Sequence, residues 1–197
     1  EELPPLPSFP REGILQLFVD DEDWHHLDRH LRAIYHREVV TDPGLLFADF
    51  GLEERDERVS ESSLSFYEDR EYITESDYRF EAVYSRAVAG ERPFFPAHSA
   101  PGQAGRSYLE ITDHRYHEHP MVGYARNKLG GYHYSQNSRD GRSGMPGWDD
   151  SDSVLLFQFQ DYEELSWGDG GSAQFYIKRA ALEACDFSDL LFHWDST

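Results

Sequence analysis

The residues best equipped for chemistry gather in Gly130-Gly131-Tyr132-His133-Tyr134-Ser135-Gln136, with Arg139 just beyond. Tyr, His, Gln and Arg side chains around a flexible glycine pair form a mix able to hold a polar ligand. The same residues would also suit a loop whose tyrosine rings fill an edge of the core. A second glycine-rich stretch, Trp167-Gly168-Asp169-Gly170-Gly171, offers exposed amides to an anion. No Lys-Ser/Thr pair follows it, and Asp169 would repel phosphate, so a tight turn with Asp169 bonding nearby amides is the simpler expectation. The candidate ligand-binding residues are therefore Tyr132, His133, Gln136, Arg139 and Asp169.

Metal and hydrolytic chemistry find less support. The chain has ten histidines; His26 and His30 would share a face if their segment is helical, and His114, His117 and His119 lie near Asp113 and Glu118. Zinc needs three or four converging ligands, and neither His-Glu-x-x-His nor a Cys pair occurs. Asp149-Asp150-x-Asp152 starts like a calcium loop, but Val154 and Gln160 stand where that loop needs Gly and Glu. Gly141-Arg142-Ser143-Gly144-Met145 lacks the last glycine of a nucleophile elbow. No metal site, cofactor or catalytic residue is assigned, and whether the chain is an enzyme stays open.

The elements that must position these residues are mostly strands. Twelve Tyr and thirteen Phe in 197 residues favour sheet over a helical bundle. Gly13 to Val19 reads as a buried strand after a proline-rich start. Ser153 to Gln160 and Ala173 to Ile177 are two more, and Lys178 to Cys185 is a short helix. Leu190 to Trp194 closes the chain as a short strand. Residues 24–36 keep a helical period, although Leu31 to Tyr35 would serve equally as a strand. Ser65 to Tyr67 and Tyr78 to Tyr84 suit half-buried strands or an amphipathic segment, and Asp42-Pro43-Gly44 is a turn.

Thirty-eight acidic residues against eighteen basic ones give a net charge of −20. Such a surface repels phosphate backbones, which argues against nucleic acid; it suits a basic protein partner, or simply solubility. No apolar run is long enough to span a membrane. One cysteine, Cys185, in a helical pattern of apolar neighbours reads as a structural thiol in a reduced, cytoplasmic setting.

The two ends of the chain echo each other. Gly13-x-x-Gln16-Leu17-Phe18-Val19 matches Gly171-x-x-Gln174-Phe175-Tyr176-Ile177, and Glu-Glu-Leu precedes each, at Glu1 and at Glu163. A duplication would place both glycines in turns where a side chain clashes. It would also imply, by analogy with residues 153–160, a pairing strand before Glu1.

Several motifs together resemble the YwqG-like family, a bacterial domain family of unknown function. They are Lys128-Leu129-Gly130-Gly131-Tyr132, Trp167-Gly168-Asp169-x-Gly171, Phe175-x-Ile177, Gly13 to Asp20, Asp77-Tyr78-Arg79-Phe80, Val154 to Gln158, Asp186-Phe187-Ser188 and Trp194-Asp195. The likeness spans most of the chain and is strongest from residue 128 onward. Where the family usually has Pro after Gly-Gly-Tyr, this chain has His133. Its Thr-Gln-x-Asp-Pro-Arg is reduced to Ser135-Gln136-Asn137-Ser138-Arg139, and its terminal Trp-Asp-Cys to Trp194-Asp195-Ser196. The resemblance implies an α+β fold, mainly antiparallel sheet with few short helices and an internal repeat, and it implies no activity.

The expectation is thus one domain over residues 1–197 lacking an N-terminal portion. Its expected role is an acidic cytoplasmic binding or interaction module, with an enzyme or small-ligand binder built on the Gly-Gly-Tyr-His loop as the alternative.

Overall fold

A computed structural model describes residues 4–19, 31–46, 63–68, 73, 76–80, 127–134, 140–149, 152–162 and 165–196. Six strands and one short α-helix are seen there: β1 (Ile14–Phe18), β2 (Arg32–His36), β3 (Lys128–Leu129), β4 (Ser153–Gln160), β5 (Ser172–Lys178), α1 (Arg179–Ala184) and β6 (Leu191–Asp195). A 3-10 turn at Pro43–Leu45 is capped by Asp42, whose carboxylate accepts the Gly44 N–H at 2.9 Å. The fold is α+β with mainly antiparallel sheet.

The strands form a four-stranded sheet, β3-β4-β5-β6, and a two-stranded ribbon, β1-β2, with every neighbour antiparallel. β5 is central and buried along nearly its whole length. Alternation splits its side chains between two faces. Ala173, Phe175 and Ile177 join Leu156, Trp167, Leu182 and Phe187 in the apolar core. Onto that core pack Leu15 and Leu17 from β1 and Ala33 and Tyr35 from β2. These four are cross-strand partners, Leu15 with Tyr35 and Leu17 with Ala33, so they share one face of the ribbon. The opposite face of the ribbon leaves Ile14 and Phe18 at 47% and 44% exposure.

Simple alternation along β4 would put Leu155, Phe157 and Phe159 on one side. A bulge between Leu155 and Phe157 breaks it: Leu155 pairs with Tyr176, while Phe157 and Gln158 pair with Phe175 and Gln174. Leu155 and Gln158 therefore share the second face of the sheet.

α1 follows β5 without a break. It closes in a Schellman arrangement, with Cys185 N–H donating to the Leu182 carbonyl and Asp186 N–H to that of Ala181. Cys185 itself takes the left-handed conformation, φ 54°, that glycine usually fills, and is half-buried just past the helix rather than inside it.

Residues 31–36, which suited helix or strand, are strand from Arg32. Asp77 starts a turn, its carbonyl accepting the Phe80 N–H at 2.9 Å, so the strand alternative fails for Tyr78 to Phe80. Residues 63–68 are exposed and carry no strand. The histidines at 26, 30, 114, 117 and 119 lie outside the described residues.

The ribbon and the β5–β6 pair have matching registers. Ile14 to Phe18 pairs with His36 to Arg32, and Ser172 to Tyr176 pairs with Asp195 to Leu191. Each strand starts after its glycine. A Cβ on Gly13 would meet the His36 carbonyl oxygen at 2.7 Å, and one on Gly171 would meet that of Asp195 at 2.5 Å. His36 and Asp195 hold equivalent places in the two pairings. Both glycines are needed for the same close approach.

Candidate functional site

The second face of the four-stranded sheet is polar, yet it is buried. Ser172, Gln174 and Tyr176 of β5 lie beside Gln158 of β4 and Asp195 of β6, and all five are buried. Over them lie three short segments carrying Asp77, His133, Asp140 and Arg142, also buried. Charged groups reach such a position only when paired and hydrogen-bonded.

Two Asp-x-Arg clasps do the pairing. In the first, Asp77 Oδ1 accepts the Arg79 backbone N–H at 3.0 Å and Nε–H at 2.8 Å, while Oδ2 accepts from the Arg79 guanidinium at 2.6 Å. The second repeats it: Asp140 Oδ1 accepts the Arg142 N–H at 3.0 Å and Nε–H at 2.9 Å, and Oδ2 accepts from the guanidinium at 2.7 Å. In both, the aspartate carbonyl also accepts the N–H three residues on. Such bidentate contacts are the strong form of an Arg–carboxylate bond.

The clasps lock onto each other. Arg142 donates to Asp77 Oδ2 at 3.3 Å and to the Ser153 carbonyl at 3.2 Å, and the Tyr78 N–H donates to Asp140 Oδ2 at 3.2 Å. The Arg142 guanidinium also lies over two rings, 4.7 Å from the Tyr78 centroid and 4.5 Å from that of Tyr176. Gly141 admits the second clasp, because a Cβ there would collide with the His193 ring.

His133 joins the clasps to the sheet. Its N–H donates to Asp77 Oδ2 at 3.0 Å, a bond proline could not make, and its Nδ1 is 2.6 Å from the Tyr176 hydroxyl. The flanking backbone is tied down as well. Lys128 donates to the Tyr132 carbonyl, Ser76 to that of His133, and the Tyr134 N–H donates to Gln158 Oε1. On the sheet, Gln174 Nε2 donates to Ser172 Oγ at 2.6 Å and to Asp195 Oδ1 at 3.1 Å.

The electrostatics follow from burial and pairing. Burial works to raise the Asp77 pKa, but the hydrogen bonds and charge of Arg79, with the charge of Arg142, outweigh it and hold the carboxyl below its ordinary range. Burial pushes His133 down to about 4 against the pull of Asp140, so the ring is neutral at pH 7. His193, whose ring is 6.3 Å from that of His133, is lowered by burial too. Burial and the Asp140 charge raise Tyr176 well above its usual value, so its phenol keeps its proton. In the clasps two carboxylates meet two guanidiniums, and the His133 ring and Tyr176 phenol beside them are uncharged.

Tyr132 and His133 both enter this cluster. Tyr132 is half-buried with the Arg79 guanidinium 5.2 Å from its ring centroid, and His133 is fully buried. Asp169 sits on an exposed turn leading to Ser172, at the opposite end of β5 from Tyr176. Gln136 and Arg139 lie outside the described residues. Asp140, Arg142 and Tyr176 are not among the candidate ligand-binding residues of the sequence, where Asp-x-Arg occurs four times, at Asp56, Asp77, Asp113 and Asp140. The spacing alone selects nothing; a buried sheet face beneath the motif makes it a clasp. Among the described residues no group of three or more His, Cys, Asp or Glu is arranged to hold a metal, and no helix is long and apolar enough to cross a membrane.

The chain belongs to a family described as a domain of unknown function (DUF1963), whose model matches residues 1–196. No curated protein matches it.

Proposed function

We propose that this chain is a cytoplasmic binding module without catalytic chemistry, whose acidic surface takes a basic protein partner. The observation that carries the reading is the closed charge balance of the buried cluster. Asp77, Asp140, Arg79 and Arg142 satisfy one another, and His133 and Tyr176 are neutral and sealed from solvent. Nothing in that cluster offers a reactive group to a substrate. The chain as a whole carries a net charge of −20, which steers oppositely charged partners. The test is capture from native lysate on the immobilised chain, with salt as the variable. A basic protein should be retained at low ionic strength and released near 1 M salt, where screening shortens to roughly 3 Å. Recovery of nothing at low salt, or of a partner indifferent to salt, would contradict the reading.

A second reading, a small-ligand binder or enzyme using Tyr132, His133, Gln136, Arg139 and Asp169, draws on one observation. His133 Nε2 is buried with no hydrogen-bond partner. Thermal shift against a metabolite library tests it. A shift that survives alanine at all five positions would remove them from that reading.

We also propose that the ribbon and the β5–β6 pair are two copies of one unit, that this chain is one domain of the YwqG-like group, and that a longer form carries an upstream strand. The matching registers and the paired glycine contacts support the duplication. In the second copy β4 pairs with the other edge of β5; among the described residues β1 pairs only with β2. Amides of Ile14 to Phe18 should gain hydrogen-exchange protection in a chain extended upstream. Unchanged exchange would speak against the extra strand.

A further inference from the structure

Three polar atoms on the buried face have no hydrogen-bond partner: His133 Nε2, Gln158 Nε2 and Gln174 Oε1. All three side chains are fully buried. Leaving such atoms unpaired carries their full desolvation cost, which makes three together a feature needing a cause.

They lie over one patch. Gln158 and Gln174 are directly opposite each other on β4 and β5, and His193 faces Gln174 from β6. His133 reaches the same place from above. Its ring nitrogen bonds Tyr176, two residues along from Gln174, its ring is 6.3 Å from that of His193, and the next residue donates to Gln158.

The orientation of each amide is fixed by its other end. Gln158 Oε1 accepts from Tyr134 N–H, so Nε2 is the unpaired end and a donor. Gln174 Nε2 donates to Ser172 and Asp195, so its free Oε1 is an acceptor. Facing amide groups one strand apart would ordinarily bond to each other, yet the donor of one and the acceptor of the other remain separate. A cation at this point would face the N–H of Gln158, and an anion would face the oxygen of Gln174. Only an uncharged group that both donates and accepts satisfies the pair, and it also serves His133 Nε2 in either ring tautomer.

We propose that His133, Gln158 and Gln174 form an internal site for a single water molecule. It accepts from Gln158 Nε2–H, donates to Gln174 Oε1 and bonds His133 Nε2. Three protein partners are the usual complement of a buried structural water. The bridge joins two networks of the buried face. One runs from Asp195 and Ser172 to Gln174; the other runs from Tyr176 through His133 to Asp77, Asp140 and the arginines.

A high-resolution crystal structure of the unaltered chain is the first test. The expected result is one fully occupied spherical peak about 2.7–3.2 Å from all three atoms. A direct bond between Gln158 and Gln174 with no peak, or density for a larger molecule, would overturn the proposal. In solution, a long-lived water should show a magnetisation transfer signal to the His133 ring proton. Gln174→Leu, which removes the acceptor, should abolish that signal. Its survival at full strength in the folded variant would equally overturn the site.

Discussion

Ala173, Phe175 and Ile177 on one face of β5 rest against leucines and aromatic rings from both ends of the chain, whereas Ser172, Gln174 and Tyr176 on the other meet hydrogen-bonded polar groups. Both faces are buried, but they hold differently. Apolar contacts add up by area and tolerate exchange of one hydrophobic shape for another. A buried ionic network depends on each member having its partner, because a lone buried charge costs several kcal/mol. The apolar face gives the fold its driving force, while the polar face fixes which loops lie where.

Breaking each face should therefore give different signatures. The largest effect is expected from Arg142→Met, which leaves Asp77 and Asp140 facing each other without their shared guanidinium. It should lower unfolding free energy by about 4 kcal/mol in urea titrations, and Asp140→Leu added to it should recover much of that loss. A double variant no better than the single would mean that the clasp acts through more than its charges.

Acid should distinguish the faces next. The folded pKa of His133, about 4, lies below its ordinary 6.5. Its contribution is fully present above about pH 6.5 and is lost as pH falls to about 4, because only the unfolded state takes up the proton in that window. The expected loss is about 3 kcal/mol relative to His133→Asn, read from stability curves at several pH values. Asp77, held below its ordinary 3.8, acts only lower down: its contribution is present above that value and is lost as pH falls through the depressed one.

On the apolar face, Leu156→Ala should cost about 2–3 kcal/mol by the same titrations, with no change in pH dependence. The smallest effect expected is from Ser172→Ala, about 1 kcal/mol, since Asp195 keeps its bond from Gln174.

The two faces were not equally legible in the sequence. β4, β5, α1 and the closing strand declared themselves because alternating or helical apolar patterns mark where area is buried. The paired glycines were legible too, and both turned out to face the carbonyl ending a partner strand. The polar face was hidden by the same logic. Gln158 and Gln174 alternate with apolar neighbours, a pattern that suits a solvent-facing side equally well, because alternation cannot tell water from a polar lid. His133 and Tyr132 were found through their glycine neighbours. Their partners Asp77 and Asp140 come from 56 residues before and seven residues after His133, a distance no local pattern spans. The bulge in β4, which brings Leu155 and Gln158 to one face, likewise has no mark in a chain of alternating residues.

Sealing of the polar face is the claim on which the rest depends, and the His133 ring reports it directly. An NMR titration of its carbon-bound ring protons should give a midpoint near 4. A midpoint near 6.5 would show the ring open to bulk water, and would contradict a closed cluster.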